Sequence, residues 1–559
     1  MPLWVSSSKK QKVIHIDIFM RTIVFISIFI IHSIVYCVNA QNPVITPAWA
    51  FKHIVWEDSL NTEAGVMKLV DSYLSRNIPV EATIIDSPWS TAYNDFNWDT
   101  SRYPNAENMI KKLEQKGVKT ILWLTGAVNL KSKDTSLQKC ETYDFVRKNK
   151  LGINNSMPHE WWKGYGVHID FTNPEAIKWW NTQLDKVFID GVYGWKVDQG
   201  EFWFGDSIQT HIGLMSNKEF RHYYYDAMHE YTIKKRSEGI IIARPYSHQG
   251  GCFASTDKMG LGWCGDFSGD WDGLKLQINN IYQSSLLGYA APACEVAGFF
   301  NKRSSKEEFT RYIQFGCMTA GIINGGENGA FTNHLPWYHG KDIEDIYRFC
   351  VILHDELVPY LFSTVVDAHL HGGTLLNNTS FEDESHQLGK YIFTKAITSS
   401  VSNQKSFTLP SEGFWYDFWT GELYSASAEV TREYPLSQFP LFIKKGAIIP
   451  MDIQSDITGI GNASFKDKVT FLVYPNGLSS QQFHLPTGDG IEYFDCSISY
   501  DETKKEISLK SQCSYNYAFI IKNIEKVSSV ENADTWEYDE QKKELRITVS
   551  ADNKTLYIH

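Results

Sequence analysis

Between residues 45 and 365, short apolar runs alternate with helix-forming stretches, and this alternation constrains the fold more than any other feature of the chain. Strands separated by helices must pair in parallel, because each crossover helix carries the chain back to the same end of the sheet. Eight runs read as such strands: ITPAWAF, VEATIID, KTILWL, GWKVD, GIIIARP, LGWCGD, AAPACEV and MTAGIING. Eight strand–helix units predict an α/β fold, a (β/α)8 TIM barrel over residues 44–365. Helix signals agree: Asn173-Pro174 supplies an N-cap and a first-turn proline for the stretch that follows. The connection between the third and fourth runs is long, about 70 residues, and is expected to shape the barrel mouth.

Several of these runs end in a polar side chain: Asp86, Asp198, Arg244, Asp266, Glu295 and Asn324. In such a barrel the C-terminal strand ends converge, so these residues are expected at one mouth. After the helical YRFCVILHDELVPYLFS the texture changes to strand-like stretches separated by turns, including KYIFTKAIT, GFWYDFWTG, VTFLVYP and LRITV. These predict C-terminal β-sandwich domains, a proximal one over 366–451 and a distal one over 452–559.

The 559 residues carry a formal charge of −12 and no long basic patch, which argues against a nucleic-acid partner. The first 40 residues hold an apolar run from Ile23 to Val38, preceded by Arg21 and closed by Asn39-Ala40. This reads as a signal peptide, and as a type II anchor if it is retained; a membrane partner is expected only in that second case. Acceptor triplets at Asn154, Asn377, Asn378, Asn462 and Asn553 fit a secreted or lumenal glycoprotein. Of the nine cysteines, Cys37 lies in the leader, and the rest show no metal-ligand spacing such as CxxC. Cys496 with Cys513 is a candidate bridge; Cys252 with Cys264 is read equally as a bridge or as buried thiols. Neither a metal nor a cofactor is implied.

Cleaving a glycosidic bond needs two carboxyl groups, one ionised and one protonated. Asp198 in WKVDQGE and Asp266 in WCGDFSGDWDG each stand where an apolar run gives way to glycine, and both are the candidates. The 18 Trp and 29 Tyr suit sugar stacking, though most are expected in the core. Trp123 and Trp263 are the candidates for packing on a sugar ring.

These segments carry a family resemblance. IIDSPWSTAYNDFNWD, ILWL, WWKGYGVHIDFTNPEA, WKVDQGE, ARP, WCGDFSGDWDGL, NGGENG, VPYLFS and GAIIP, in this order from Pro43 to Pro450, resemble glycoside hydrolase family 31. The resemblance implies retaining hydrolysis of terminal α-linked sugars in an oligosaccharide or glycoside, with Asp198 as nucleophile and Asp266 as acid/base. Asp86 matches a residue that binds sugar hydroxyls in the family. Lys196 and Arg244 are placed to keep Asp198 ionised, and burial against Trp263 is expected to keep Asp266 protonated. Glu201 is expected to orient the nucleophile loop, and Asp272 to serve structure.

Three departures from the family pattern bear on specificity. The seventh run ends in CEVAGF, so Glu295 stands where many members have Asp, about one methylene shorter. The eighth run continues as IINGGENG, without the Arg-x-His that grips substrate in many α-glucosidases; Asn324, Glu327 and His334 are the candidate replacements. The β-sandwich that precedes the barrel in the family is expected to be absent. An α-galactoside, an α-xyloside or a modified sugar is therefore as eligible as an α-glucoside. The alternative is a catalytically weak, glycan-binding relative, which has no chemical need for both Asp198 and Asp266.

Overall fold

The computed structural model describes residues 42–559 apart from 59–60, 199–206, 301–303, 327–333, 401–403, 513–514 and 551–554. The expectations for the leader, Cys37, Glu201, Glu327, Cys513 and Asn553 lie outside the described residues. The core of the chain is a closed parallel barrel of eight strands, each hydrogen-bonded to its neighbours in chain order. They are β1 (Ile54–Glu57), β2 (Ala82–Ile85), β3 (Lys119–Leu124), β4 (Val192–Val197), β5 (Ile240–Ala243), β6 (Leu261–Trp263), β7 (Pro292–Val296) and β8 (Ile322–Asn324).

Seven of the eight expected runs form these strands. The first does not: β1 is IVWE, and the AWAF of ITPAWAF is a 3-10 turn over Ala48–Phe51. Pro47 has no N–H to give a ladder. The turn instead donates the Ala48 and Trp49 N–H groups to the carbonyls of Gly490 and Asp489, at 2.9 and 3.0 Å, tying the barrel floor to the distal sandwich. One-residue accuracy matters here, because it decides which side chain of β1 points inward.

Register settles that question around the whole barrel. Ile54 and Trp56 sit opposite Ala82 and Ile84; Ile84 opposite Ile121; Trp123 opposite Lys196; Ile242 opposite Lys196 and Leu261. Trp263 pairs with Ala293, Glu295 with Ile323, and Ile323 with Ile54. Side chains alternate between faces with period 2. One inward set therefore contains Trp56, Trp123, Lys196, Trp263 and Glu295, whereas Glu57 and Asn324 face the helices. Gly325 makes room for the inward indole, since a Cβ there would lie 2.2 Å from Trp56 Cδ1.

The helices start as their sequences dictate. Asn173 caps Pro174–Leu184 through the Glu175 N–H at 3.0 Å, and full capping boxes open Asn217–Lys235 (Ser216, Glu219) and Lys306–Gly316 (Ser305, Glu308). The long connection after β3 folds into a three-stranded antiparallel sheet, ordered Ala127–Ser132, Gly164–His168, His159–Trp161. Its Trp161 packs with Tyr93, Trp123, Ala127 and Leu137 over the barrel mouth.

Both C-terminal sandwiches form. The proximal one has a six-stranded sheet and the ribbon Gln404–Thr408 with Glu429–Glu433, closed over Phe393, Phe407, Trp415, Tyr434 and Phe442. The buried Arg311 docks it on the barrel by donating to the carbonyls of Gln438 (2.7 Å) and Tyr434 (2.9 Å). The distal one stacks two five-stranded sheets. Ile448–Met451, assigned to the proximal unit by sequence, pairs with Val469–Val473 in the distal sheet. Only Lys445, Gly446 and Ala447 separate it from the Leu441–Lys444 strand, and Gly446, at φ 91°, is the point where the chain changes sheets. Cys264 and Cys496 are buried thiols outside any disulfide, so neither the candidate Cys252–Cys264 bridge nor the candidate Cys496–Cys513 bridge forms, whereas Cys252 is disulfide-bonded.

Candidate active site

At the C-terminal ends of β4 and β6, Asp198 and Asp266 meet on one guanidinium nitrogen. Arg244 Nη2 lies 3.4 Å from Asp198 Oδ1 and 3.3 Å from Asp266 Oδ2. Arg244 leaves the end of β5 between them, and its guanidinium carbon lies over Trp263, 4.0 Å from the ring centre. Asp198 accepts a second hydrogen bond, 3.1 Å, from the Trp123 indole N–H. Its backbone is pinned as well: its N–H donates to the Leu124 carbonyl at 3.0 Å, and its carbonyl accepts from the Tyr224 hydroxyl at 3.0 Å. The Tyr224 contact comes from the helix Asn217–Lys235 and was not legible in the sequence.

The two carboxyls differ in surroundings. Asp198 sits deep, with 12% of its side chain exposed, facing an N–H donor and a cation. Asp266 is the outer one at 28%. Loss of solvent raises the Asp266 pKa, the Asp198 charge adds to the rise, and Arg244 and Lys196 oppose it without cancelling it. An outer carboxyl biased toward its protonated form beside an inner one met by donors is the asymmetry that an acid and a nucleophile require.

Lys196, expected beside Asp198, makes its ion pair with Asp86 instead, at 2.8 Å, with both side chains about 5% exposed. Its ammonium is held between two inward indoles, 3.7 Å from the ring centre of Trp56 and 4.4 Å from that of Trp263. Burial opposes its charge, yet Asp86, Glu295 and Asp198 together hold its pKa above the ordinary lysine value. Trp56 was missed in the sequence because the first strand was placed at ITPAWAF, before the observed Ile54–Glu57. The Trp56 and Trp263 indole N–H groups are buried without a protein partner.

Glu295 is 2% exposed, and neither of its oxygens has a hydrogen-bond partner. Burial pushes its pKa up to about 8; Lys196 and Arg244 pull the other way, and Asp266 and Asp86 add to the rise. Burial thus favours its neutral form, which can donate and accept at once.

Asn324 is not at the mouth. Its side-chain N–H groups go to the Tyr73 hydroxyl (2.9 Å), the Tyr347 hydroxyl (2.7 Å) and the His334 carbonyl (2.8 Å), all in the helical layer. His334 also turns outward and pairs with Glu57 at 2.8 Å. The reason is register: Asn324 follows the inward Ile323 and so faces away. Among the described residues no group of His, Cys, Asp and Glu is arranged to hold a metal. A cavity of about 390 Å³ at the opposite end of the barrel, lined by Lys52, Asp452, Asp489 and Tyr515, contains none of the mouth residues.

An eight-stranded parallel barrel with paired aspartates at its strand ends defines a class, the barrel glycosidases. Residues 43–364 match the glycosyl hydrolases family 31 TIM-barrel domain, and residues 364–449 match the family 31 C-terminal domain. The chain belongs to glycosyl hydrolase family 31. It is 23% identical over 499 residues to alpha-glucosidase 2 of Bacillus thermoamyloliquefaciens, covering 84% of this chain and 62% of that one. It is 24% identical over 443 residues to an alpha-xylosidase of Emericella nidulans, covering 73% and 54%. The chain thus spans little more than half the length of these curated relatives. Among solved structures, a Flavobacterium johnsoniae family 31 dextranase complexed with glucose superposes with a TM-score of 0.79 at 20% identity, covering 92% of this chain and 71% of that one. The cycloalternan-forming enzyme of Listeria monocytogenes, in complex with a pentasaccharide substrate, does so at 0.82 and 19%, covering 94% and 55%.

Proposed function

We propose that the protein is a retaining, exo-acting α-glycoside hydrolase. The observation that carries the reading is the single Arg244 nitrogen shared by the two carboxylates. A shared nitrogen keeps the two carboxyls close together, which is compatible with the separation of about 5–5.5 Å of a retaining pair. Asp198 attacks the anomeric carbon while Asp266 gives its proton to the departing glycosidic oxygen. A covalent glycosyl ester forms on Asp198 and the aglycone leaves as an alcohol. Asp266, now a carboxylate, takes a proton from water, which attacks the anomeric carbon; Asp198 departs and the sugar is released with its original configuration.

The rest of the mouth positions the sugar. Trp56, Trp123 and Trp263 offer apolar walls, and the Asp86 carboxylate and the neutral Glu295 carboxyl present hydrogen-bonding groups to sugar hydroxyls. The extra methylene of Glu295 moves that contact toward the ring and selects among sugar epimers. Action in the secretory lumen or outside the cell belongs to the same proposal, supported by the apolar run Ile23–Val38 and the acceptor triplets. Sequencing the N-terminus of the protein recovered from culture medium tests that part; a chain that remains in the cytosol overturns it.

The test of the chemistry is a panel of 4-nitrophenyl α-glycosides, followed by NMR to read the anomer first released. Retention, with activity lost in Asp198→Asn, is the expected result. Release of the inverted anomer, or turnover that survives Asp198→Asn, overturns the mechanism.

A further inference from the structure

Beyond the reacting carboxyls, the mouth carries a third cation that neither step of the reaction uses. Lys163, in the turn between the strands His159–Trp161 and Gly164–His168, places its ammonium 4.6 Å from the ring centre of Trp162, 5.6 Å from that of Trp123 and 5.7 Å from that of Tyr93. Trp123 is the same indole that donates to Asp198, so one ring separates Lys163 from the nucleophile. The ammonium opposes the rise that burial gives the Tyr93 pKa. It also senses the charge of Asp134, yet among the described residues no carboxylate pairs with it within 4.0 Å. The residue is half-buried.

The charge balance of the mouth makes this cation informative. Lys196 is spent on Asp86, and Arg244 on Asp198 and Asp266. Burial favours the neutral forms of Glu295 and Asp266. Among the described residues Lys163 is thus a mouth cation left without a carboxylate within 4.0 Å, on a chain whose overall charge is −12. A neutral sugar gives an unpaired ammonium nothing to recognise that a hydroxyl would not supply better, whereas an anionic oxygen gains a charge-assisted hydrogen bond in a water-poor cleft.

We propose that Lys163 is a specificity-determining residue, and that the substrates of this enzyme are α-glycosides bearing an anionic oxygen group, a carboxylate or a sulfate ester, close to the scissile bond. This rests on the hydrolase reading given above. The aromatic walls of Tyr93, Trp123 and Trp162 exclude water from the ammonium, which strengthens its pairing with an anion.

The experiment compares 4-nitrophenyl α-glucoside and α-galactoside with their uronate and 6-sulfate counterparts, for the wild type, Lys163→Met and Lys163→Arg. The readout is the ratio of kcat/KM for each anionic substrate to that of its neutral parent. The expected result is a ratio above one in the wild type, falling at least tenfold in Lys163→Met and largely restored in Lys163→Arg. Thermal melting of both variants checks that they fold. A ratio that Lys163→Met leaves unchanged overturns the inference while the hydrolase reading stands. If no substrate turns over, calorimetric titration with methyl α-glucuronide and methyl α-glucoside decides. Uronide binding lost in Lys163→Met sinks the hydrolase reading but keeps the anion site, and no uronide binding overturns both. Uronate and sulfate arms that differ identify which anion the cleft accepts.

Discussion

The indole N–H of Trp123 donates to Asp198 Oδ2 at 3.1 Å, joining β3 to the end of β4. A hydrogen bond to a charged group contributes about 1.5–3 kcal/mol, and here it also orients Asp198, the proposed nucleophile. Trp123→Phe keeps the ring and removes the donor. The expected outcome is a loss of roughly 10–100-fold in kcat with a smaller change in KM. A larger rise in KM than fall in kcat would show that the indole serves binding instead.

Asp266→Asn separates the two chemical steps. For aryl glycosides with good leaving groups, release of the first nitrophenolate should persist as a burst while steady-state turnover falls about 10²–10⁴-fold, because no base activates water. Added azide, which needs no base, should restore turnover and yield the α-glycosyl azide. Failure of azide to change the rate would argue against Asp266 as the acid/base group.

Glu295 sets an expectation for pH. Its carboxyl is neutral until it ionises at about 8, and ionisation would place an unpaired anion next to Asp266 and Asp86. KM for the preferred glycoside should therefore rise above pH 8 in the wild type. In Glu295→Gln, which keeps a donor at every pH, KM should stay flat through that range. An identical alkaline rise in the variant would place the titration elsewhere.

The seam between the barrel and the distal sandwich should respond to pH as well. Glu356 ends the helix Lys341–Glu356 at 1% exposure; one oxygen accepts from the Thr458 hydroxyl at 2.8 Å and the other has no partner. Burial raises its pKa from 4.5 to about 8; the Thr458 bond opposes the shift and Asp452 and Asp355 add to it. The folded chain holds this proton where the unfolded chain has released it. The stabilisation is complete below pH 4.5 and is lost as pH rises through about 8. Melting temperature should fall across that window, and Glu356→Gln should flatten the fall. An unchanged slope in the variant would remove Glu356 from the account.

The buried pair of Lys196 and Asp86 should behave asymmetrically. Lys196→Met leaves Asp86 unpaired among apolar walls, and breaking a buried pair in this way costs about 3–5 kcal/mol. The double variant Lys196→Met with Asp86→Leu should recover much of the stability and none of the activity. Equal stability of the single and double variants, measured by chemical denaturation, would count against a buried charge as the cause.

Much of this was determined by the sequence alone. Strand composition, proline and glycine placement and capping residues are local properties, so seven barrel strands, the Asn173 cap and both sandwiches were legible without coordinates. Asp198 and Asp266 were legible because each sits at a strand-to-glycine transition. What the tertiary structure decided was orientation and charge state. Side chains alternate faces with period 2, so placing the first strand at ITPAWAF rather than IVWE hid Trp56. Counting Asn324 as a mouth residue ignored the inward Ile323 before it. The neutral carboxyl of Glu295, the outward His334–Glu57 pair and the ammonium of Lys163 against three rings depend on neighbours distant in sequence. Local composition selects the strand; only the closed barrel selects what each strand end faces.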